Sequence, residues 1–95
     1  MAAPDSRTAG RAWYLYLIEC VDGSLYTGIT VDVTQRFAAH AAGKGGHYTR
    51  SHPPKRIAAV IECADRSAAS KAEHAVKRLT TAAKRELCRR HPPQT

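Results

Sequence analysis

Two apolar segments separated by an Asp-Gly pair constrain this chain more than any other feature of its sequence. Residues 13–20 (WYLYLIEC) and 25–29 (LYTGI) are rich in aromatic and β-branched side chains, and Asp22-Gly23 lies between them. An Asp-Gly pair in this setting is a strong signal for a β-hairpin. The length of the loop then decides which side chains share a face of the sheet.

Two loop lengths are compatible with this turn. A two-residue loop would pair Tyr16 with Ile29 and place Tyr16 and Tyr26 on opposite faces. A three-residue loop, with its glycine left-handed in a bulge, pairs Tyr16 with Gly28 and places both tyrosines on one face. We favour the three-residue loop because it separates a tyrosine-bearing face from a more apolar face that belongs against helices.

A helix is predicted directly after the hairpin. Asp32 is a suitable N-cap, Gln35 follows three residues later, and Gly43 marks the end. Arg36 and His40 are four residues apart, so their side chains lie on one helical face beside the sheet. This helix can therefore bring a long cation and an imidazole to the same place.

Residues 43–56 (GKGGHYTRSHPPKR) mix glycine, cations and one aromatic side chain without apolar periodicity. This composition predicts an irregular loop. The loop has the ingredients of a segment that contacts phosphates, and Tyr48 could stack on a base. A basic exposed loop without a ligand is the alternative.

The remainder is predicted to form a strand over residues 57–63 and then two helices. Asp65 or Ser67 caps the first helix, and Thr80 or Thr81 caps the second. Glu73 lies at the edge of the first helix's apolar stripe, where its carboxylate can reach past the core. The stripe consists of Ala69, Ala72, Val76 and Leu79.

Length, hydropathy and cysteine content narrow the class of protein. Ninety-five residues suffice for one compact domain and exclude a two-domain enzyme. Neither an apolar signal segment nor a membrane-spanning run is present, so we expect a soluble cytoplasmic protein. The three cysteines are far apart and odd in number, which favours neither a disulfide framework nor a zinc site.

The positive charge is concentrated in the second half of the chain. Residues 1–43 contain three basic and four acidic side chains, whereas residues 44–95 contain twelve and four. Ten of the fifteen cations are arginines, whose planar fork suits phosphate oxygens. The net charge of +7 therefore points to a polyanionic partner such as nucleic acid.

Two tyrosine-containing tripeptides are followed at a distinctive spacing by an arginine and a later glutamate. They are Tyr14-Leu15-Tyr16, Tyr26-Thr27-Gly28, Arg36 and Glu73. Residues 22–30 (DGSLYTGIT) and 48–50 (YTR) add two longer matches. Together these segments resemble the GIY-YIG nuclease superfamily, and in particular its small stand-alone bacterial members. The resemblance covers most of residues 13–88.

The resemblance implies an α/β (α+β) fold, with a small three-stranded antiparallel β-sheet flanked by helices. The GIY-YIG domain would span residues 12–90, between a disordered tail over residues 1–11 and a second tail over residues 91–95. The resemblance also implies metal-assisted hydrolysis of phosphodiester bonds in DNA, with Mg²⁺ or Mn²⁺ as the cofactor.

The catalytic roles implied by the resemblance fall on five residues. Glu73 would be the protein's ligand for the divalent cation, and Arg36 would hold the scissile phosphate. Tyr26 would take the proton from the attacking water, Tyr16 would position that water or the phosphate, and His40 would assist. Because an ordinary tyrosine has a pKa near ~10, the positive charges of Arg36 and the metal would be needed to favour the phenolate.

The cationic half of the chain is expected to grip the nucleic acid. The side chains predicted to contact it are Lys44, Tyr48, Arg50, Lys55, Arg56 and Lys77. With no separate recognition domain in these ninety-five residues, specificity is expected to be absent or to come from a protein partner.

One departure from the superfamily pattern leaves the function open. Excision-repair members carry a lysine where this chain has Ile29. Either Arg50 or Lys77 supplies the missing cation, or cleavage of the phosphodiester is weak. A nucleic-acid-binding module with a vestigial nuclease site is therefore the alternative function.

Overall fold

The structure is a computed structural model that describes residues 12–93. The tail predicted over residues 1–11 lies outside the described residues, as do the last two residues of the tail predicted over 91–95. The elements are β1 (Trp13–Cys20), β2 (Leu25–Thr30), α1 (Val33–Ala41), α2 (His47–Ser51), β3 (Pro54–Cys63), α3 (Arg66–Lys77) and α4 (Thr81–Arg90). No helix in this part of the chain is long and apolar enough to cross a membrane.

The strands form one antiparallel sheet in the order β2-β1-β3. The central strand, β1, pairs with both neighbours, and β2 and β3 form the two edges. This arrangement confirms the predicted α+β fold with a three-stranded antiparallel sheet flanked by helices. Within residues 12–93, one side of β2 has no strand partner, and this edge borders the candidate site.

The hairpin between β1 and β2 has the three-residue loop. Tyr16 pairs with Gly28 and Ile18 pairs with Tyr26. The Cys20 amide donates to a backbone carbonyl across the loop at 2.9 Å, and Gly23 adopts φ +89°. Only glycine takes this left-handed conformation without strain, so the predicted bulge and register are both confirmed.

Helices cover both faces of the sheet. On the apolar face, Leu15 and Leu17 pack with Ala59 and with Val76 of α3, and α4 adds partly buried side chains to the same cluster. On the other face, here called the tyrosine face, β1 contributes Tyr16 to a second cluster that α1 covers. The other members of this second cluster are Ile18, Cys20, Tyr26, Val33 and Phe37.

Three of the four helices within residues 12–93 start at a side-chain cap, whereas α2 follows Gly46 and has none. The Asp32 carboxylate accepts a hydrogen bond from the Gln35 amide at 3.0 Å, as predicted. Asp65 rather than Ser67 caps α3, and Thr80 rather than Thr81 caps α4. Each of these caps satisfies a backbone amide that the helix itself leaves without a partner.

Three sequence-based expectations need correction. The basic segment predicted as an irregular loop contains the short helix α2, because its helical turn is stabilised by buried contacts rather than by apolar periodicity. The third strand begins at Pro54, three residues before the predicted start, since proline is tolerated at the first position of an edge strand. Leu79 is 40% exposed rather than part of the α3 stripe, because α3 ends at Lys77.

The left-handed conformation of Gly23 leads to a first prediction. Gly23→Ala should lower the free energy of unfolding by about 1–2 kcal/mol, because an L side chain is strained at positive φ. Urea unfolding followed by circular dichroism would measure this change. Val21→Ala, an exposed position in the same loop, should stay within about 0.5 kcal/mol of the parent. Equal stability of the two variants would contradict the bulged loop.

Candidate active site

The two predicted catalytic tyrosines share the tyrosine face next to the β2 edge. Their ring centroids lie 6.4 Å apart. The Tyr16 ring lies across Gly28 so closely that a methyl group on Gly28 would overlap the tyrosine hydroxyl. The glycine of the second tripeptide is therefore required because a neighbouring ring occupies the space of a side chain.

His40 holds the Tyr16 hydroxyl in place. Its Nε2 lies 3.0 Å from the Tyr16 hydroxyl, and its Nδ1 lies 2.7 Å from the Thr49 hydroxyl. All three side chains are at most 2% exposed. The result is a buried chain of hydrogen bonds from β1 through α1 to α2, here called the Tyr16–His40–Thr49 chain.

Gly45 lets the segment before α2 approach α1 closely. A methyl group on Gly45 would overlap the His40 ring. The Gly45 carbonyl accepts a hydrogen bond from the Arg36 guanidinium at 3.3 Å. Arg36 and His40, four residues apart on α1, are thus both held by the segment that follows their helix.

Burial keeps both Tyr16 and His40 neutral. Burial raises the pKa of the Tyr16 phenol above its usual value, and this effect outweighs the opposing influence of the Arg36 guanidinium beside it. The negative charge of Glu73 acts in the same direction as burial. Burial and then the charge of Arg36 hold the pKa of His40 below its usual value. At neutral pH, His40 is therefore an uncharged imidazole with one donor and one acceptor nitrogen.

Tyr26 belongs to a line of stacked rings at the same site. Its ring meets His40 edge-on at 5.0 Å and stacks on Tyr48 at 5.7 Å. Tyr48 in turn stacks on His52 at 4.2 Å, and His52 pairs with the Asp22 carboxylate at 2.7 Å. Tyr48 is 38% exposed, and Tyr26 and His52 stack against its ring. The stacking of a base on Tyr48, as predicted from the sequence, is therefore confined to the part of the ring that these two side chains leave exposed.

The Asp22 carboxylate fixes one end of this line of rings. Hydrogen bonds from Ser24, followed by the contact with His52, hold the pKa of the Asp22 carboxyl well below its usual range. The hairpin loop is thereby joined to α2, which carries Tyr48 and Thr49.

Glu73 reaches the β2 edge from the opposite side of the sheet. It lies on α3, which packs on the apolar face, yet its charge acts on the Tyr16 phenol. Its side chain is 23% exposed and forms an ion pair with Lys77, whose Nζ lies 3.1 Å from the carboxylate. The structure thus places the other four predicted catalytic residues on the tyrosine face and Glu73 at its border.

The donor set around Glu73 fits a sparsely coordinated hard cation. Among residues 12–93, no three His, Cys, Asp or Glu side chains converge in a way that could hold a metal ion. Glu73 alone offers a half-buried carboxylate at the site. Mg²⁺ suits such a site because it keeps several waters and commonly binds through one or two carboxylates together with substrate phosphates.

The cations predicted to grip nucleic acid are not gathered in one place. Lys44 and Arg50 are exposed on the segment that includes α2. Arg56 forms an ion pair with Glu19 at 2.7 Å, and Arg85 of α4 joins it on the apolar side of the sheet. Lys55 is exposed in β3, and Lys77 pairs with Glu73.

Two residues of the site were not identified from the sequence. Thr49 is the second hydrogen-bond partner of His40, and Gly45 provides the space for the His40 ring. Thr49 lies inside the YTR segment noted in the sequence, but a contact between residues nine apart in different helices has no periodic signal. Gly45 lies in a glycine-rich stretch that could equally mark an ordinary loop.

The family model described as the GIY-YIG catalytic domain matches residues 12–86, the same residues that build the sheet and this site. The chain belongs to the GIY-YIG family. This confirms the resemblance found in the sequence, and it places the chain in a nuclease superfamily whose members are generally metal-dependent and act on nucleic acid.

Several similar proteins carry the family name UPF0213. One from Cupriavidus pinatubonensis is 54% identical over 78 residues, covering 82% of this chain and 87% of that protein. One from Cupriavidus necator is 49% identical over 85 residues, covering 90% of this chain and 92% of that protein. A solution NMR structure of the UPF0213 protein BH0048 from Bacillus halodurans is 40% identical, with a TM-score of 0.54 and coverage of 86% and 88%. These names state a family and no reaction.

The close approach of Tyr16 to Gly28 leads to a second prediction. Gly28→Ala should cost about 1–3 kcal/mol of unfolding free energy, because the new methyl group overlaps the tyrosine ring. In a Tyr16→Leu background, the same change should cost little or be stabilising, since alanine is the better strand residue. A double-mutant cycle by urea unfolding measures this coupling. An equal cost in both backgrounds would contradict the overlap.

Proposed function

We propose that this protein is a divalent-metal-dependent nuclease that hydrolyses phosphodiester bonds in DNA. The observation that supports this function most directly is the meeting of two tyrosines, Arg36 and His40 at the open edge of β2, with Glu73 at its border. Family membership makes a phosphodiester the expected substrate class.

Arg36 is proposed to bind the scissile phosphate. Its guanidinium lies beside Tyr16, and one nitrogen donates to the Gly45 carbonyl. Within residues 12–93 it has no carboxylate partner, so the rest of its fork is free for phosphate oxygens. A half-buried arginine held in this way is oriented before the substrate arrives.

Tyr26 is proposed to accept the proton of the attacking water. Its ring is half-buried among His40 and Tyr48, whereas Tyr16 is fully buried and bonded to His40. With Tyr26 as its phenolate, water adds to phosphorus as its proton passes to the phenolate oxygen, the bond to the leaving oxygen breaks, and that oxygen takes a proton from solvent. The Tyr26 phenol then returns its proton to solvent. Tyr16 is proposed to position the water or the phosphate, because His40 fixes its hydroxyl.

Glu73 is proposed to hold the divalent cation, Mg²⁺ or Mn²⁺. When bound, the cation would neutralise the negative charge that develops on the phosphate oxygens. Lys77 must then give up its ion pair with the Glu73 carboxylate. Lys77 then becomes free to contact the phosphate. It would thereby replace the cation that excision-repair members carry at the position of Ile29.

The Lys77–Glu73 ion pair also favours the alternative function. A lysine that stays on the carboxylate neutralises the charge that would attract a metal. The protein would then bind nucleic acid through its cations without cleaving it. Cleavage assays with Mg²⁺ and with Mn²⁺ separate these two functions.

A third prediction tests the catalytic assignment. Tyr26→Phe should slow DNA cleavage by about 10²–10⁴-fold, because the base is lost. Glu73→Gln should slow it by at least about 100-fold, because the carboxylate that holds the cation is lost. The measurement is the single-turnover cleavage rate on single-stranded, duplex and branched DNA.

Matched variants serve as controls. Tyr14→Phe removes a hydroxyl from the same strand, two residues from Tyr16, and Glu62→Gln removes an exposed carboxylate from β3. Both should cleave at the parent rate. Parent-like cleavage by the Tyr26 and Glu73 variants would reject these roles, and DNA binding without cleavage by the parent would favour the alternative function.

A further inference from the structure

We propose that a cationic groove beside Glu73 binds the phosphodiester backbone of the nucleic acid next to the scissile bond. The groove is an open depression of about 700 Å³ between α3 and the β2 edge. Its lining residues are Ile29, Arg66, Ser67, Ser70, Lys71 and Glu73, and we call it the flanking groove. The proposal rests on the nuclease function proposed above and specifies the path of its substrate.

The flanking groove is continuous with the candidate active site. Glu73 belongs to both, and Ile29 directly follows the Gly28 on which the Tyr16 ring lies. The groove, on the apolar face, and the Tyr16 hydroxyl, on the tyrosine face, both border the edge strand β2. A polymer whose scissile phosphate lies on Arg36 can therefore pass over this edge into the groove.

The chemistry of the groove matches a chain of phosphates. Arg66 and Lys71 supply two cations, and Ser67 and Ser70 supply two exposed hydroxyls. Arginine, lysine and serine side chains are the groups that commonly contact the phosphates of nucleic acids without reading their sequence. The groove thus provides positive charge next to Ile29, where the excision-repair lysine is absent.

The cations of the groove are free, whereas many others are not. Within the described residues, neither Arg66 nor Lys71 lies within ion-pair distance of a carboxylate. Carboxylates of the chain itself pair with Arg56, Lys77, Arg85, Arg89 and Arg90. Arg66 and Lys71 therefore leave two positive charges uncompensated at the border of the site.

Arg66 is also held in position before any ligand binds. Its guanidinium carbon lies 5.6 Å from the centroid of the Trp13 ring, in cation–π contact. A guanidinium held over an aromatic ring keeps the edges of its planar fork free for phosphate oxygens. Trp13, the first residue of β1, thereby places a preformed anion contact at one end of the groove.

A charge-matched pair of double variants tests the groove. Arg66→Gln/Lys71→Gln removes both groove cations, and Lys84→Gln/Arg89→Gln removes two cations from α4. Affinity for short single-stranded and duplex DNA is measured by fluorescence anisotropy in the Tyr26→Phe background, without divalent metal. The groove variant should bind DNA about tenfold more weakly. The slope of log K against log salt concentration should be smaller in magnitude by about 1.5. The α4 variant should bind within about twofold of the parent background.

Equal affinities of the two double variants would overturn the proposal. Thermal unfolding verifies that the Arg66 change, which also removes the Trp13 contact, leaves the protein folded. Lys71→Gln alone provides a second test, with a smaller loss of affinity and a salt slope lower by about 0.8. A groove variant that loses affinity for polyglutamate but not for DNA would also overturn the proposal, because the groove would then serve an acidic protein.

The outcomes separate this proposal from the nuclease function. Weakened DNA binding by the groove variant, with no cleavage by the parent under any divalent metal, would retain the groove as a nucleic-acid site and reject the nuclease. Parent cleavage together with unaffected binding and cleavage by the groove variant would retain the nuclease and reject the groove.

Discussion

The buried hydrogen bond between Tyr16 and His40 is the interaction on which the site depends. It joins the central strand to α1 across 24 residues of sequence, and Thr49 extends it to α2. Each of these polar groups is buried, so removing one partner leaves another unsatisfied at a cost of about 1–3 kcal/mol. The geometry of the tyrosine hydroxyl is thus secured by the same contacts that secure the helices.

Two glycines make this chain of hydrogen bonds sterically feasible. Gly28 lets the Tyr16 ring lie across β2, and Gly45 lets the segment before α2 pass directly over the His40 ring. The same segment receives a hydrogen bond from Arg36. The result is a site in which Arg36, the fixed tyrosine and the neutral histidine are oriented together, as the proposed catalysis would require.

In the proposed nuclease, the exposed edge of β2 would let residues from both faces of the sheet act on one substrate. The tyrosines approach this edge from the tyrosine face, and Glu73 approaches it from the apolar face. An additional strand on β2 would separate them. The flanking groove continues from Glu73 along the same edge, so a substrate strand can bind along the border of the sheet.

The sequence was sufficient to predict the hairpin register and the clustering of Tyr16 with Tyr26, because only the three-residue loop separates a tyrosine-bearing face from a more apolar one. It also indicated that Arg36 and His40 share a helical face. It did not predict α2 or the partnership of Thr49 with His40, since these depend on contacts between distant elements rather than on local periodicity. The Lys77–Glu73 ion pair was not predicted, although the two residues are one helical turn apart.

Titration of the His40 imidazole by NMR tests the buried hydrogen-bond chain most directly. Burial and Arg36 predict a pKa below the ordinary imidazole value of about 6.5, and therefore a neutral His40 at neutral pH. Imidazole nitrogen shifts report the protonation state. Titration of His40 at or above the ordinary value would contradict the buried, neutral imidazole on which this chain of hydrogen bonds depends.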